Sequence, residues 1–278
     1  TSAQLKAAEA LAVLASRSPT NRTSIMQAGA VKPLVELLGN GMRSDKGTPP
    51  ERAVVVLAEL ARLKESKGDI VKLGGVQPLV TMLTSTWPAS QANAVSTLYN
   101  ISLVAEHRSL LTSVGVIPRL VEMLSSGYAA TPPPLMDDSL AQHRPLLSIA
   151  CGSDPCWNRT KAAQWHVASM LWELCASTDA KVLLVQAGGI PALVSLLEPG
   201  MVAEADAVIK DVAAKGEVEG EDNDEWMSTM APRVLEPVTA TLSELARSQS
   251  ANRMAIMRAG GLPLIVQLVC ESPFANVV

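Results

Sequence analysis

Aromatic side chains are close to absent from this chain. One Phe, two Tyr and five Trp serve 278 residues, so Leu, Val, Ala and Met must fill the sizeable core that this length implies. Cysteine is scarce too. The four, at 151, 156, 175 and 270, are too few for a disulfide framework, and two of them fall in helical patterns where a buried thiol is the ordinary role. Cys151, Cys156 and His166 stand in the spacing Cys-x4-Cys-x9-His, but tetrahedral zinc needs a fourth ligand that the sequence does not signal. No metal and no cofactor is expected. His107, His143 and His166 are dispersed, with no Ser or Cys partner implied. No catalytic residues are therefore expected, and the chain reads as a protein that is not an enzyme. No apolar run approaches the ~20 residues of a membrane-spanning helix. A net charge of −4 gives no general reason to expect nucleic acid, which calls for a basic face. An intracellular, cytoplasmic location is expected, or an organellar one after removal of a transit peptide.

What the chain has in quantity is repetition. The text GGIPALVSLL at 188–197 recurs as GAVKPLVELL from Gly29, GGVQPLVTML from Gly74, GVIPRLVEML from Gly115 and GGLPLIVQLV from Gly260. Each copy follows a short, weakly helical segment, as in TSIMQAG and VLLVQAGG. Glycine there is a helix stop, because it tolerates the left-handed cap conformation. The Pro three or four residues later suits the first turn of the next helix, where its missing N–H costs nothing. The Leu-Val-x-Leu-Leu that follows puts apolar groups at helical spacing on a wide face. An Ala/Leu-rich helix precedes each copy by about one element: EALAVLA, VVLAELA, STLYNIS, SMLWELC and ATLSELA. The unit is thus a Pro-started helix, a linker, a long Ala/Leu helix, and a short helix ending at the next Gly.

Period and order decide the architecture. Gly29 to Gly74 spans 45 residues and Gly74 to Gly115 spans 41, which suits helical repeats of ~40–47 residues. The next two intervals, 73 and 72, contain no further copy. They are read as insertions, residues 125–160 and 198–232, at the same corner of the unit. The second carries GEVEGEDNDE at 216–225, an acidic run expected to be solvated.

In these features the chain resembles the armadillo repeat family. The resemblance implies an all-α fold, a right-handed superhelical solenoid of about five armadillo-type repeats, with residues 1–278 forming one domain incomplete at both ends. It also implies a role in binding other proteins. In that family the Ala/Leu helix lines a concave groove, and an Asn one residue before its last core Leu or Ile clamps the backbone of an extended peptide. The matching positions here are Val13, Glu59, Asn100, Glu173 and Glu244. Only Asn100 keeps the clamp. The family's Trp four residues earlier is replaced by Glu9, Val55, Ser96, Ser169 and Ala240, so the signal-reading function of nuclear-import receptors does not carry over.

Two uses of the groove stay open. Glu59, Glu173 and Glu244, with Asn100, Ser96 and Ser169, would recognise a basic or amide-rich segment, or the acids would form a solvated face quenched by i,i+3 partners such as Arg62 and Arg247. Trp157 and Trp226, read as loop residues, would dock the insertions or meet a partner, whereas Trp165 and Trp172 are expected in the core. At the ends, Leu5, Leu11 and Leu14 and then Leu264, Ile265 and Leu268 are expected to need cover. The chain therefore reads as a protein–protein interaction module, a scaffold or a subunit built into a larger complex, with an adaptor taking an extended, basic peptide as the alternative.

Overall fold

The computed structural model describes residues 2–39, 49–85, 88–125, 157–198 and 234–270. All regular structure among them is helical. The helices fall into five triplets. The first is α1 (Ser2–Arg17), α2 (Pro19–Gln27) and α3 (Val31–Gly39). Then come α4 (Pro49–Leu60), α5 (Lys64–Lys72) and α6 (Val76–Met82), followed by α7 (Pro88–Ser102), α8 (Ala105–Ser113) and α9 (Val116–Ser125). The fourth is α10 (Trp157–Leu174), α11 (Thr178–Gln186) and α12 (Gly189–Ser195), and the fifth α13 (Leu235–Ser248), α14 (Ser250–Arg258) and α15 (Gly261–Cys270). Each triplet runs from a long helix through a short one of nine residues to a third of 7–10 residues, termed the middle helix. The expected insertions lie largely at 126–156 and 199–233, outside the described residues, as do Trp226 and the acidic run.

Five glycines set the corners. Gly29, Gly74, Gly115, Gly188 and Gly260 all have φ between 77° and 80°, and no other described residue has a positive φ. Around Gly74 the geometry is a Schellman motif: its N–H donates to the Val71 carbonyl at 3.0 Å and the Gly75 N–H to the Ile70 carbonyl at 2.9 Å. These bonds satisfy the last carbonyls of the short helix. Proline then stands third in every middle helix, as Pro33, Pro78, Pro118, Pro191 and Pro263, within the turn where no intrahelical donor is needed. Ser18 and Ser177 close the other end of two short helices, their hydroxyls accepting from Asn21 and Ala180 N–H at 3.1 Å.

Packing divides the chain into two compact units, Thr1–Met170 and Leu171–Val278. In the first, the long helices stand side by side, α1 against α4 and α4 against α7, with α3 and α6 packed on α4 and α7. Its core holds Leu38, Leu57, Leu60, Leu79, Leu98, Ile101 and Leu120, all buried. Tyr99 of α7 meets Trp165 of α10 edge-on, ring centroids 5.1 Å apart. In the second unit α12 packs on α11, α13 and α14, and α14 on α13 and α15. Helices α14 and α15 meet at 83°.

Two expectations about Trp need correction. Trp157 is the first residue of α10 and not a loop residue. Trp165 is half-buried, but Trp172 is 43% exposed. Tyr99 and His166 cover the first ring. The buried stripe of α10 is Val167, Met170, Leu171 and Leu174, which leaves the second ring at its margin.

Candidate functional site

The five positions equivalent to the family's clamp are all half-buried: Val13, Glu59 and Asn100 in the first unit, Glu173 and Glu244 in the second. Because α1, α4 and α7 are successive neighbours, the first three occupy one register on adjacent helices. Ser96 is half-buried, and its carbonyl accepts from the Asn100 amide at 2.9 Å. Ser169 is buried, 4% exposed, so it serves packing and offers little to a groove ligand.

The carboxylates are more engaged than an exposed acidic face would be. Glu59 accepts from Arg62 at 3.3 Å, the i,i+3 partner, and also from Arg22 of α2 at 3.0 Å. Glu244 repeats the arrangement, with Arg247 at 2.9 Å and Lys181 of α11 at 3.1 Å. Lys181 holds the Glu244 carboxyl below the usual carboxylate range, through its hydrogen bond first and its charge second, with Arg247 adding to it. Glu9, at the position where the family has Trp, is held by Lys6 at 2.9 Å and Arg52 at 3.5 Å. Glu59, Glu244 and Glu9 thus serve as interhelical ties.

Arg22 and Lys181 belong to a column that the sequence reading missed. Seven residues before each capping glycine stands a base: Arg22, Lys67, Arg108, Lys181 and Arg253. Three of them also reach back to the C-terminal carbonyls of the preceding long helix. Arg22 donates to Ala15 at 3.1 Å, Arg108 to Ser102 at 2.8 Å and Arg253 to Ala246 at 2.9 Å. Asn21 and Asn252, one residue earlier, do the same to Leu14 at 2.9 Å and Leu245 at 3.1 Å. Helix ends leave such carbonyls without intrahelical donors, and a cation there also meets the negative end of the helix dipole. The signal was present as a fixed offset from glycine.

Two other groups are marked by burial. Desolvation pushes the Cys175 thiol up to about 12, which makes it an inert packing group. Desolvation also lowers the pKa of Lys67. No single helix among the described residues is long and apolar enough to cross a membrane.

The model of the armadillo/beta-catenin-like repeat matches residues 64–103, the span of α5–α7. Among solved structures, an engineered protein is 24% identical with a TM-score of 0.60, over 96% of this chain and 83% of its own. A designed armadillo repeat protein is 20% identical at the same TM-score, over 97% of this chain and 86% of its own. A further designed armadillo repeat protein, in complex with the peptide (KR)4, is 17% identical at 0.60, over 96% and 85%. At these identities the likeness shows the fold. No curated protein matches the sequence. The chain has the all-α solenoid fold of these armadillo repeat structures, and residues 64–103 match the armadillo repeat itself. That fold is typical of protein-interaction scaffolds and is generally a non-enzymatic one.

Proposed function

We propose that this chain is a non-enzymatic scaffold that joins a larger protein assembly through the apolar face of α15. The observation that carries this reading is a contrast between equivalent helices. The middle helices α3, α6, α9 and α12 each bury at least four residues, whereas α15 buries only Gly261. Leu264, Ile265 and Leu268 are half-buried, while Leu262, Val266 and Val269 are 53%, 52% and 72% exposed, next to Met254 and Met257 of α14 at 47% and 53%. On α3, α6 and α12 the long helices α4, α7 and α13 are packed. A protein helix of similar chemistry, with small and branched apolar residues, is the partner it fits. Light scattering on the purified chain tests this. Concentration-dependent association, abolished by Val266→Glu/Val269→Glu at unchanged melting temperature, is expected. A monodisperse wild type that binds no hydrophobic dye would remove the support.

The second reading, an adaptor for a basic peptide, is favoured by the acids at 59, 173 and 244 and by the designed neighbour that holds (KR)4. Against it, Glu59 and Glu244 already hold two cations each. A basic peptide would have to compete with Arg22 and Lys181, so Arg22→Gln/Lys181→Gln should strengthen binding of a Lys/Arg peptide. If that variant gains nothing, this reading fails.

A further inference from the structure

In two repeats the chain places an ion pair of its own at the same spot. Arg22 meets Glu59 at 3.0 Å and Lys181 meets Glu244 at 3.1 Å. Both bases stand seven residues before a capping glycine, and both acids share the clamp register of the long helix that closes the repeat. The repeat formed by α5, α6 and α7 keeps the base, Lys67, but has Asn100 where the acid belongs. Lys67 is half-buried and has no ion-pair or hydrogen-bond partner among the described residues. Beside it Ser66, fully buried, has a hydroxyl with no partner there. The residues equivalent to Ser66 in α2 and α14 are Asn21 and Asn252, and both are bonded.

We infer that Lys67 and Asn100 form a receptor for a carboxylate, an Asp or Glu side chain of a partner segment laid along the long helices. The chain supplies the anion itself at Glu59 and Glu244, and here leaves the position to the partner. The two internal pairs identify the ligand as a carboxylate, because a carboxylate is what the same geometry holds when the site is filled from within. Lys67 is already partly stripped of water, and that desolvation holds its pKa below the ordinary lysine value. An arriving carboxylate therefore gains a charge-assisted bond at reduced desolvation cost. The Asn100 amide spends one of its two N–H donors on the Ser96 carbonyl, which leaves the other for the second carboxylate oxygen or a peptide carbonyl. This site does not depend on the face of α15, and Val266→Glu/Val269→Glu should leave it unchanged.

The test compares two fluorescein-labelled peptides by anisotropy at low ionic strength, one alternating Ser with Glu and one alternating Ser with Gln. The wild-type chain should prefer the Glu peptide by about ten-fold, the size of one charge-assisted hydrogen bond. Lys67→Gln should remove the preference. Asn100→Glu should remove it too while holding or raising the melting temperature, since it rebuilds the pair seen in two other repeats. The inference is overturned if the wild type binds both peptides alike. It is equally overturned if the preference survives Asn100→Glu, or if that substitution destabilises the fold, for then the register does not bring the two positions together.

Discussion

Glu244 shows what a single side chain contributes beyond charge. Its carboxylate joins α13 to α11 through Lys181 and turns back on its own helix to Arg247. These cations hold its pKa below the ordinary value of 4.5. A carboxylate whose folded pKa is depressed contributes stability above its unfolded pKa, and that contribution disappears as pH falls through the folded value. Glu244→Gln should therefore lower the urea midpoint at neutral pH, and the gap to wild type should close as the solution is acidified below pH 4.5. A gap that stays constant with pH would mean the loss is one of packing. The sequence showed half of this arrangement. The i,i+3 partners Arg62 and Arg247 were legible because a helix fixes their separation. Arg22 and Lys181 were not, since their partners lie 37 and 63 residues away and only the folded repeat brings them near. Trp172 was misread for a related reason: periodicity locates a side of a helix but not which element covers it.

At the scale of the element, two adjacent glycines with different duties explain the corner of the repeat. Gly74 needs its left-handed φ of 77°, and a Cβ there would meet nothing within 4 Å. Gly75 has ordinary φ, but a Cβ on it would lie 2.8 Å from Ile70 Cγ2 and 3.2 Å from Val35 Cγ2 of α3. Gly261 repeats this against Ile256 and, in α12, Val194, at 2.9 and 3.1 Å. The first glycine ends a helix and the second lets one repeat settle on another. Asn visits the left-handed region more readily than other side chains, so the two positions should separate cleanly. Gly74→Asn should cost about 1 kcal/mol. Gly75→Asn, which overpacks the contact between α5, α6 and α3, should cost about 1–3 kcal/mol and more if α3 must move. Chemical denaturation of the two variants decides it, and equal losses would contradict the division of labour. The turn, the Pro-started helix and the all-α class were readable from these glycines and their spacing. The close approach was not, because a second Gly looks the same in sequence whether it is free or pressed against a neighbour.

For the whole chain, the consequence of repetition is that stability should be local. In a repeat array each element contacts its neighbours in the stack, and the total is close to a sum of repeat and interface terms. The contacts follow this pattern within each unit: α3 meets α4, α5 and α6, and α12 meets α11, α13 and α14. A lesion at Gly261 presses on Ile256 and Val194, so its cost falls on α12, α14 and α15. Gly261→Ala should therefore speed amide exchange across 189–195 and 250–270 while exchange across 49–102 keeps its wild-type rate, and Gly75→Ala should do the reverse. Exchange followed by mass spectrometry under native conditions reads both at once. If either substitution accelerates exchange uniformly along the chain, the molecule unfolds as one cooperative body, and a partner bound at α15 would then stabilise every repeat. If the effects stay local, binding at α15 and at Lys67 are energetically separate events, and each can be removed without weakening the other.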